Sequence, residues 1–161
     1  SFAGTTFDSN TGQGVFYRLF NTSTTLTYAD SLFLPSNTAS NCYERMFSNC
    51  TGLIKAPVEL PATSTNESCY SYMFSGCTSL TESPILKANS LYNYSYYGMF
   101  LNCSNLVKVT TYANNRPGSH TCDYWLQGVS QTGDFYNYGT LTYGNNIQYG
   151  GMPSGWTEHI M

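Results

Sequence analysis

The sequence predicts an α/β solenoid: about four stacked coils with parallel strands on one face, short helical turns on the other, and a β- and turn-rich C-terminal cap. Three observations carry this expectation. A pattern of eleven residues returns at a nearly constant period. One unit of that size cannot bury its own apolar face, whereas stacked units build a continuous core. The closing segment, 123–161, abandons the pattern for aromatics set between glycines, the composition of short strands and tight turns.

The pattern reads Y-x-x-M-F-x-x-C-x-x-L and is of the leucine-rich type. It stands at residues 43–53, 70–80 and 96–106, with a looser first copy at 16–26, so the starts lie 27, 27 and 26 residues apart. Equivalent residues should stack on one another: Met46, Met73 and Met99; Phe47, Phe74 and Phe100; Cys50, Cys77 and Cys103; Leu53, Leu80 and Leu106. Tyr, Met and Phe at i, i+3 and i+4 share one face of a helix, so a short helical turn is expected there.

Small and β-branched residues follow each ladder Leu and end at Pro57 and Pro84, which fits a short strand. Strands of successive coils would pair in parallel about 4.8 Å apart. Lys55, Glu82 and Lys108 stand two residues after the ladder leucines, so an outward column of alternating sign is expected. Its first reading is mutual salt bridging, worth about 0–1 kcal/mol per exposed pair. Its second is contact with a ligand.

The six cysteines follow the repeat. Cys50, Cys77 and Cys103 share one position and Cys42 and Cys69 another, while Ser23 and Ser95 fill these positions in other copies. A position open to serine is not an obligate half-cystine. Buried free thiols are therefore preferred over bridges between coils, such as Cys42 with Cys69 or Cys50 with Cys77. There is no C-x-x-C pair, and His120 and His159 lie outside the ladder, so neither a metal site nor a cofactor is expected. Cys122 follows the last repeat without a counterpart.

Composition narrows the function. Charged residues are only 9% of the chain, with a net charge of -3, and Ser, Thr, Asn and Tyr supply the polarity. The six basic residues form no cluster, which removes the electrostatic footprint of a nucleic-acid binder. No run approaches the roughly 18 apolar residues of a membrane span, so no membrane insertion is expected. The carboxylates, from Asp8 to Glu158, are scattered outside any catalytic motif. Cys103 and His120 could be cast as nucleophile and base, but the ladder equivalents of Cys103 have no histidine. No catalytic residue is assigned, and an enzyme is not expected. The polar start lacks the basic and apolar regions of a signal peptide, so the chain reads as a mature product or a fragment of a larger protein. As a single domain it divides into an N-terminal cap at 1–15, four repeats at 16–122 and the C-terminal cap at 123–161.

The repeats, with W-L-Q-G-V-S-Q-T-G-D-F at 125–135 and G-M-P-S-G-W-T at 151–157, resemble the BspA-like leucine-rich repeat family found in gut Bacteroides and their phages. The resemblance covers residues 16–156. Ser23 and Ser95 depart from it, as does Thr110 in place of a strand-end proline. It implies a repeat stack in an extracellular, cell-surface or virion protein with an adhesion-like role. It carries no family-wide site residues.

The expected function is therefore a non-enzymatic binding or adhesion module for a host protein or glycan. The alternative is a structural or decoration domain of a phage tail, fibre or capsid, packed on other virion chains. Tyrosine gives large contact area at low entropic cost. Tyr92, Tyr94 and Tyr97, with Lys55, Glu82 and Lys108, are the candidate contacts; Tyr136, Tyr138, Tyr143 and Tyr149 add to the tyrosine surface. Five N-x-S/T sequons, at Asn21, Asn49, Asn66, Asn93 and Asn102, read as products of composition, with Asn49 and Asn102 enclosed beside ladder cysteines.

Overall fold

The computed structural model describes residues 14–161; most of the expected N-terminal cap, and Asp8 with it, lie outside the described residues. Five strands form one sheet in chain order: β1 (Glu59–Leu60), β2 (Glu82–Leu86), β3 (Lys108–Thr111), β4 (Gly133–Asn137) and β5 (Trp156–Ile160). Every neighbouring pair is parallel. The first described coil joins through a parallel bridge between Tyr28 and Lys55. The architecture is a parallel-strand β-solenoid. Side chains alternate across the sheet. Pro84, Leu86, Val109, Thr111, Phe135 and Asn137 point into the core, and the residues between them point out.

The expected helical turns are absent, and this corrects the α/β description. The only helix among the described residues is a single 3-10 turn at Ile147–Tyr149. Each Y-x-x-M-F segment is instead a ribbon of consecutive β-turns. In the second coil, N–H groups of Glu44, Met46, Ser48 and Cys50 donate to the carbonyls of Asn41, Tyr43, Arg45 and Phe47. The alternate N–H groups, on Tyr43, Arg45 and Phe47, donate across to the next coil, to Cys69, Ser71 and Met73. An α-helix would keep these bonds to itself, from i to i−4. Every fourth residue has a positive φ: Asn41, Arg45 and Asn49, then Ser68, Tyr72 and Gly76, then Tyr94, Gly98 and Asn102. A left-handed residue at that interval breaks any right-handed helix. Over so short a segment, a four-residue period buries the same i, i+3, i+4 set that a helix would.

The core ladder forms on this ribbon. The stacked Met, Phe, Cys and Leu positions are all buried. Rings of Phe20, Phe47, Phe74 and Phe100 lie 5.3–5.5 Å apart in nearly parallel planes. All six cysteines are free and buried. The ladder thiols donate to main-chain carbonyls: Cys50 to Phe20 at 2.9 Å, Cys77 to Phe47 at 3.1 Å and Cys103 to Phe74 at 3.0 Å. This explains why the first copy can hold Ser23 there, since a hydroxyl donates as well.

Between β2 and β3 the register slips. Glu82 pairs with Lys108 but Ile85 pairs with Thr110, leaving an extra residue at the Ser83 and Pro84 step. Pro84 has no N–H to give, and a bulge is where a sheet tolerates it. The Ser83 hydroxyl accepts from the N–H of Thr110 at 3.2 Å.

The ribbon recurs beyond the fourth copy. His120, Tyr124 and Gly128 again have positive φ, and the N–H groups of Tyr96 and Phe100 donate to Thr121 and Trp125. Cys122 therefore does have a counterpart: it occupies the Tyr96 position, and Trp125 the Met99 position. Two indoles then tie down the end. Trp125 Nε1 donates to the Gly151 carbonyl at 3.0 Å and Trp156 Nε1 to the Ser130 carbonyl at 2.8 Å.

Candidate interaction surface

The outward face of the sheet is organised in rows by the parallel register. One row runs Glu82, Lys108, Asp134 and Thr157; the next runs Ile85, Thr110, Tyr136 and His159. A third, Lys87, Tyr112 and Tyr138, follows each inward residue Leu86, Thr111 and Asn137. Lys55 holds the position equivalent to Glu82 one coil earlier.

Charges in these rows pair across coils. Lys108 Nζ lies 3.3 Å from Glu82 Oε2 and Lys87 Nζ 3.8 Å from Glu59 Oε2. His159 Nε2 lies 2.7 Å from Asp134 Oδ1. Water reaches all these groups, so each pair contributes little to stability. Lys55 makes no ion pair among the described residues.

The aromatic rings stack because strand spacing and ring stacking share one distance, about 4.8 Å. Tyr112 and Tyr138 lie 4.8 Å apart at 9°, and Tyr136 and His159 4.6 Å apart at 13°. Lys87 Nζ sits 4.8 Å from the Tyr112 centroid and Lys108 Nζ 5.8 Å from that of Tyr136. Ring faces are thus turned toward neighbouring coils, and edges and hydroxyls point outward. An open groove of about 700 Å³ crosses the face. Ala56, Pro57, Ser83 and Ile85 line it toward β1 and β2, and Tyr112, Tyr136 and Tyr138 toward β3 and β4.

A second tyrosine cluster lies on the turn ribbons. Tyr97 meets Tyr72, Tyr94 and Tyr124 edge-on at 5.4–5.7 Å, and Tyr94 stacks on His120 at 5.3 Å. Arg45 covers the far ring, 4.3 Å from the Tyr72 centroid. Tyr92 is exposed on the same coil as Tyr94.

The six candidate contacts therefore divide between two surfaces. Lys55, Glu82 and Lys108 line the groove; Tyr94 and Tyr97 belong to the ribbon cluster. Tyr143, expected on the tyrosine surface, is buried against Trp125 and Phe135. Asn49 and Asn102, expected to be enclosed, are exposed at left-handed turn positions. Sequence reasoning misses Tyr112. Its signal is the interval of 26 residues to Tyr138, the same as from Lys108 to Asp134.

The thiols offer no nucleophile at the surface. Burial raises Cys42 from 9.0 to about 11 and Cys103 and Cys122 to about 12. Cys103 is committed to the Phe74 carbonyl, and His120 to Asp123 at 2.7 Å. Among the described residues no group of three or more His, Cys, Asp or Glu could hold a metal ion. Nor is any helix among them long and apolar enough to cross a membrane. Comparison with protein-family models, curated proteins and solved structures finds no match for this chain.

Proposed function

We propose that this chain is a non-enzymatic binding module of a cell-surface or virion protein, and that it binds a protein partner through the outward face of its sheet. The observation that carries this reading is the edge-out stacking of Tyr112 with Tyr138 and of Tyr136 with His159. A sugar ring packs its C–H groups on an open aromatic face. Both faces of Tyr112 and of Tyr136 are occupied here, by the next ring on one side and a lysine ammonium on the other. What remains outward is phenol hydroxyls, positively polarised ring edges and charges, the groups that pair with protein side chains. The resemblance to BspA-like repeats supports the cell-surface or virion setting.

The test is an array of surface proteins and glycans probed with the isolated chain and with a Tyr112→Ala, Tyr136→Ala double variant. Protein signals that disappear in the variant are the expected result. Signals confined to glycans, or protein signals unchanged in the variant, overturn the assignment of this face.

A further inference from the structure

We infer that the partner this face fits is a second copy of the same chain, docked face to face about a two-fold axis along the strand direction between β2 and β3. The inference rests on the reading of this face as protein-binding and names the partner. It follows from two properties of the face, the order of its charges and the distribution of its large and small residues.

Charge comes first. Rotation about such an axis keeps each row at its own level and reverses the order of the strands. The coil of β1 then lies over the partner's β4, and β2 over the partner's β3. The first row reads Lys55, Glu82, Lys108 and Asp134. Under the rotation Lys55 meets the partner's Asp134, and Glu82 meets the partner's Lys108. A row of alternating sign with an even number of members complements itself in this way, and each contact occurs twice. Lys55, which has no ion pair within the described residues, gains one. In the third row Lys87 meets the partner's Tyr112, whose outward hydroxyl is an acceptor for the ammonium.

Side-chain size also differs across the midline. The half carrying β1 and β2 brings Ala56, Pro57 and Ser83 to the groove beside Lys55 and Glu82. The half carrying β3 and β4 brings Tyr112, Tyr136 and Tyr138. Beside the β1 and β2 half lies a second hollow of about 210 Å³, lined by Leu32, Phe33, Val58 and Pro61 together with the carboxylates Asp30 and Glu59. Phe33 is 91% exposed and Val58 61%, an unusual cost for a face that stays in water. The rotation sets the tyrosines of each copy against the half of the other that holds Ala56, Pro57 and Ser83, with Tyr138 over this hollow.

Six coils at about 4.8 Å each give a face roughly 25 Å across, the scale of small, transient interfaces, so a reversible dimer is expected.

Sedimentation equilibrium of the purified chain, at micromolar and higher concentrations, tests the idea. The wild type should dimerise, and more weakly as salt rises. Lys108→Glu should weaken the dimer about tenfold or more, because it sets a carboxylate at position 108 against the partner's Glu82 twice. The double variant Glu82→Lys, Lys108→Glu should restore it, since the swap rebuilds the central pair in both copies. Circular dichroism of each variant confirms the fold. A foreign partner carries fixed charges and would not be rescued by the swap. A monomeric wild type, a dimer unaffected by Lys108→Glu, or no rescue by the swap overturns the inference. If the wild type is monomeric yet captures a foreign protein on the array, the protein-binding reading stands alone; if it does neither, both readings fall.

Discussion

The Cys77 thiol donates to the main-chain carbonyl of Phe47, one coil back, at 3.1 Å. That carbonyl also accepts the N–H of Cys50, so both of its lone pairs are used. The ladder cysteine thus fills volume and ties two coils together. Cys77→Ala removes both and should cost about 1–2 kcal/mol. Cys77→Ser keeps a donor and should cost less. Chemical denaturation followed by tryptophan fluorescence measures the difference; an alanine variant as stable as the wild type would remove the ladder role.

Burial of the thiols predicts a pH dependence. In the unfolded chain they ionise near 9.0, whereas the fold holds Cys42 protonated to about 11 and Cys103 and Cys122 to about 12. At higher pH the unfolded state therefore binds fewer protons than the folded one. Stability should be full below pH 9.0 and fall as pH rises toward 12. Burial of Tyr43 acts in the same direction. Denaturation midpoints from about pH 8 to about pH 11 test this. In the native state at the lower end, a disulfide-exchange reagent should label none of the six thiols, and denaturant should release all six.

Ser95 occupies the position that Cys42 and Cys69 hold in the preceding coils, and its buried hydroxyl has no hydrogen-bond partner among the described residues. An unsatisfied buried hydroxyl is a net cost. Ser95→Cys should stabilise the protein by about 1 kcal/mol, read as a shift in denaturation midpoint at constant slope. A destabilised variant would show that Ser95 has a partner in solution.

Gly76 has φ +75°, and a Cβ there would press into Asn49 Oδ1 of the coil before. Gly128 stands in the same relation to Asn102. The ladder position thus alternates Asn, Gly, Asn, Gly, each amide lying over the bare backbone of the next coil. Gly76→Ala should cost about 1–2 kcal/mol, part from the left-handed backbone and part from displacing Asn49. In an Asn49→Gly background the second part should vanish. Equal costs in both backgrounds, measured as a double-mutant cycle, would deny the coupling.

The sequence alone determined the stack, its period and its core. Met73, Phe74, Cys77 and Leu80 repeat because equivalent positions meet equivalent neighbours, and burial in a solenoid is set by that one-dimensional rule. The parallel pairing of Glu82 with Lys108 was legible for the same reason. The conformation of the turn segment was not. An inward set at i, i+3 and i+4 satisfies both a helix and a four-residue ribbon, and the choice depends on hydrogen bonds to the next coil, such as Phe47 N–H to Met73. In hindsight Asn41, Asn49, Gly76, Gly98, Asn102 and Gly128, at left-handed positions, were the local trace of that choice. Apart from the Glu82 and Lys108 column, the surface belonged to the tertiary structure. The register after the bulge at Ser83 and Pro84 set Tyr112 on Tyr138, while the folding of each coil put Tyr94 and Tyr97 on the turn ribbon and packed Tyr143 on Trp125 and Phe135, because which residues share a face depends on how coils align.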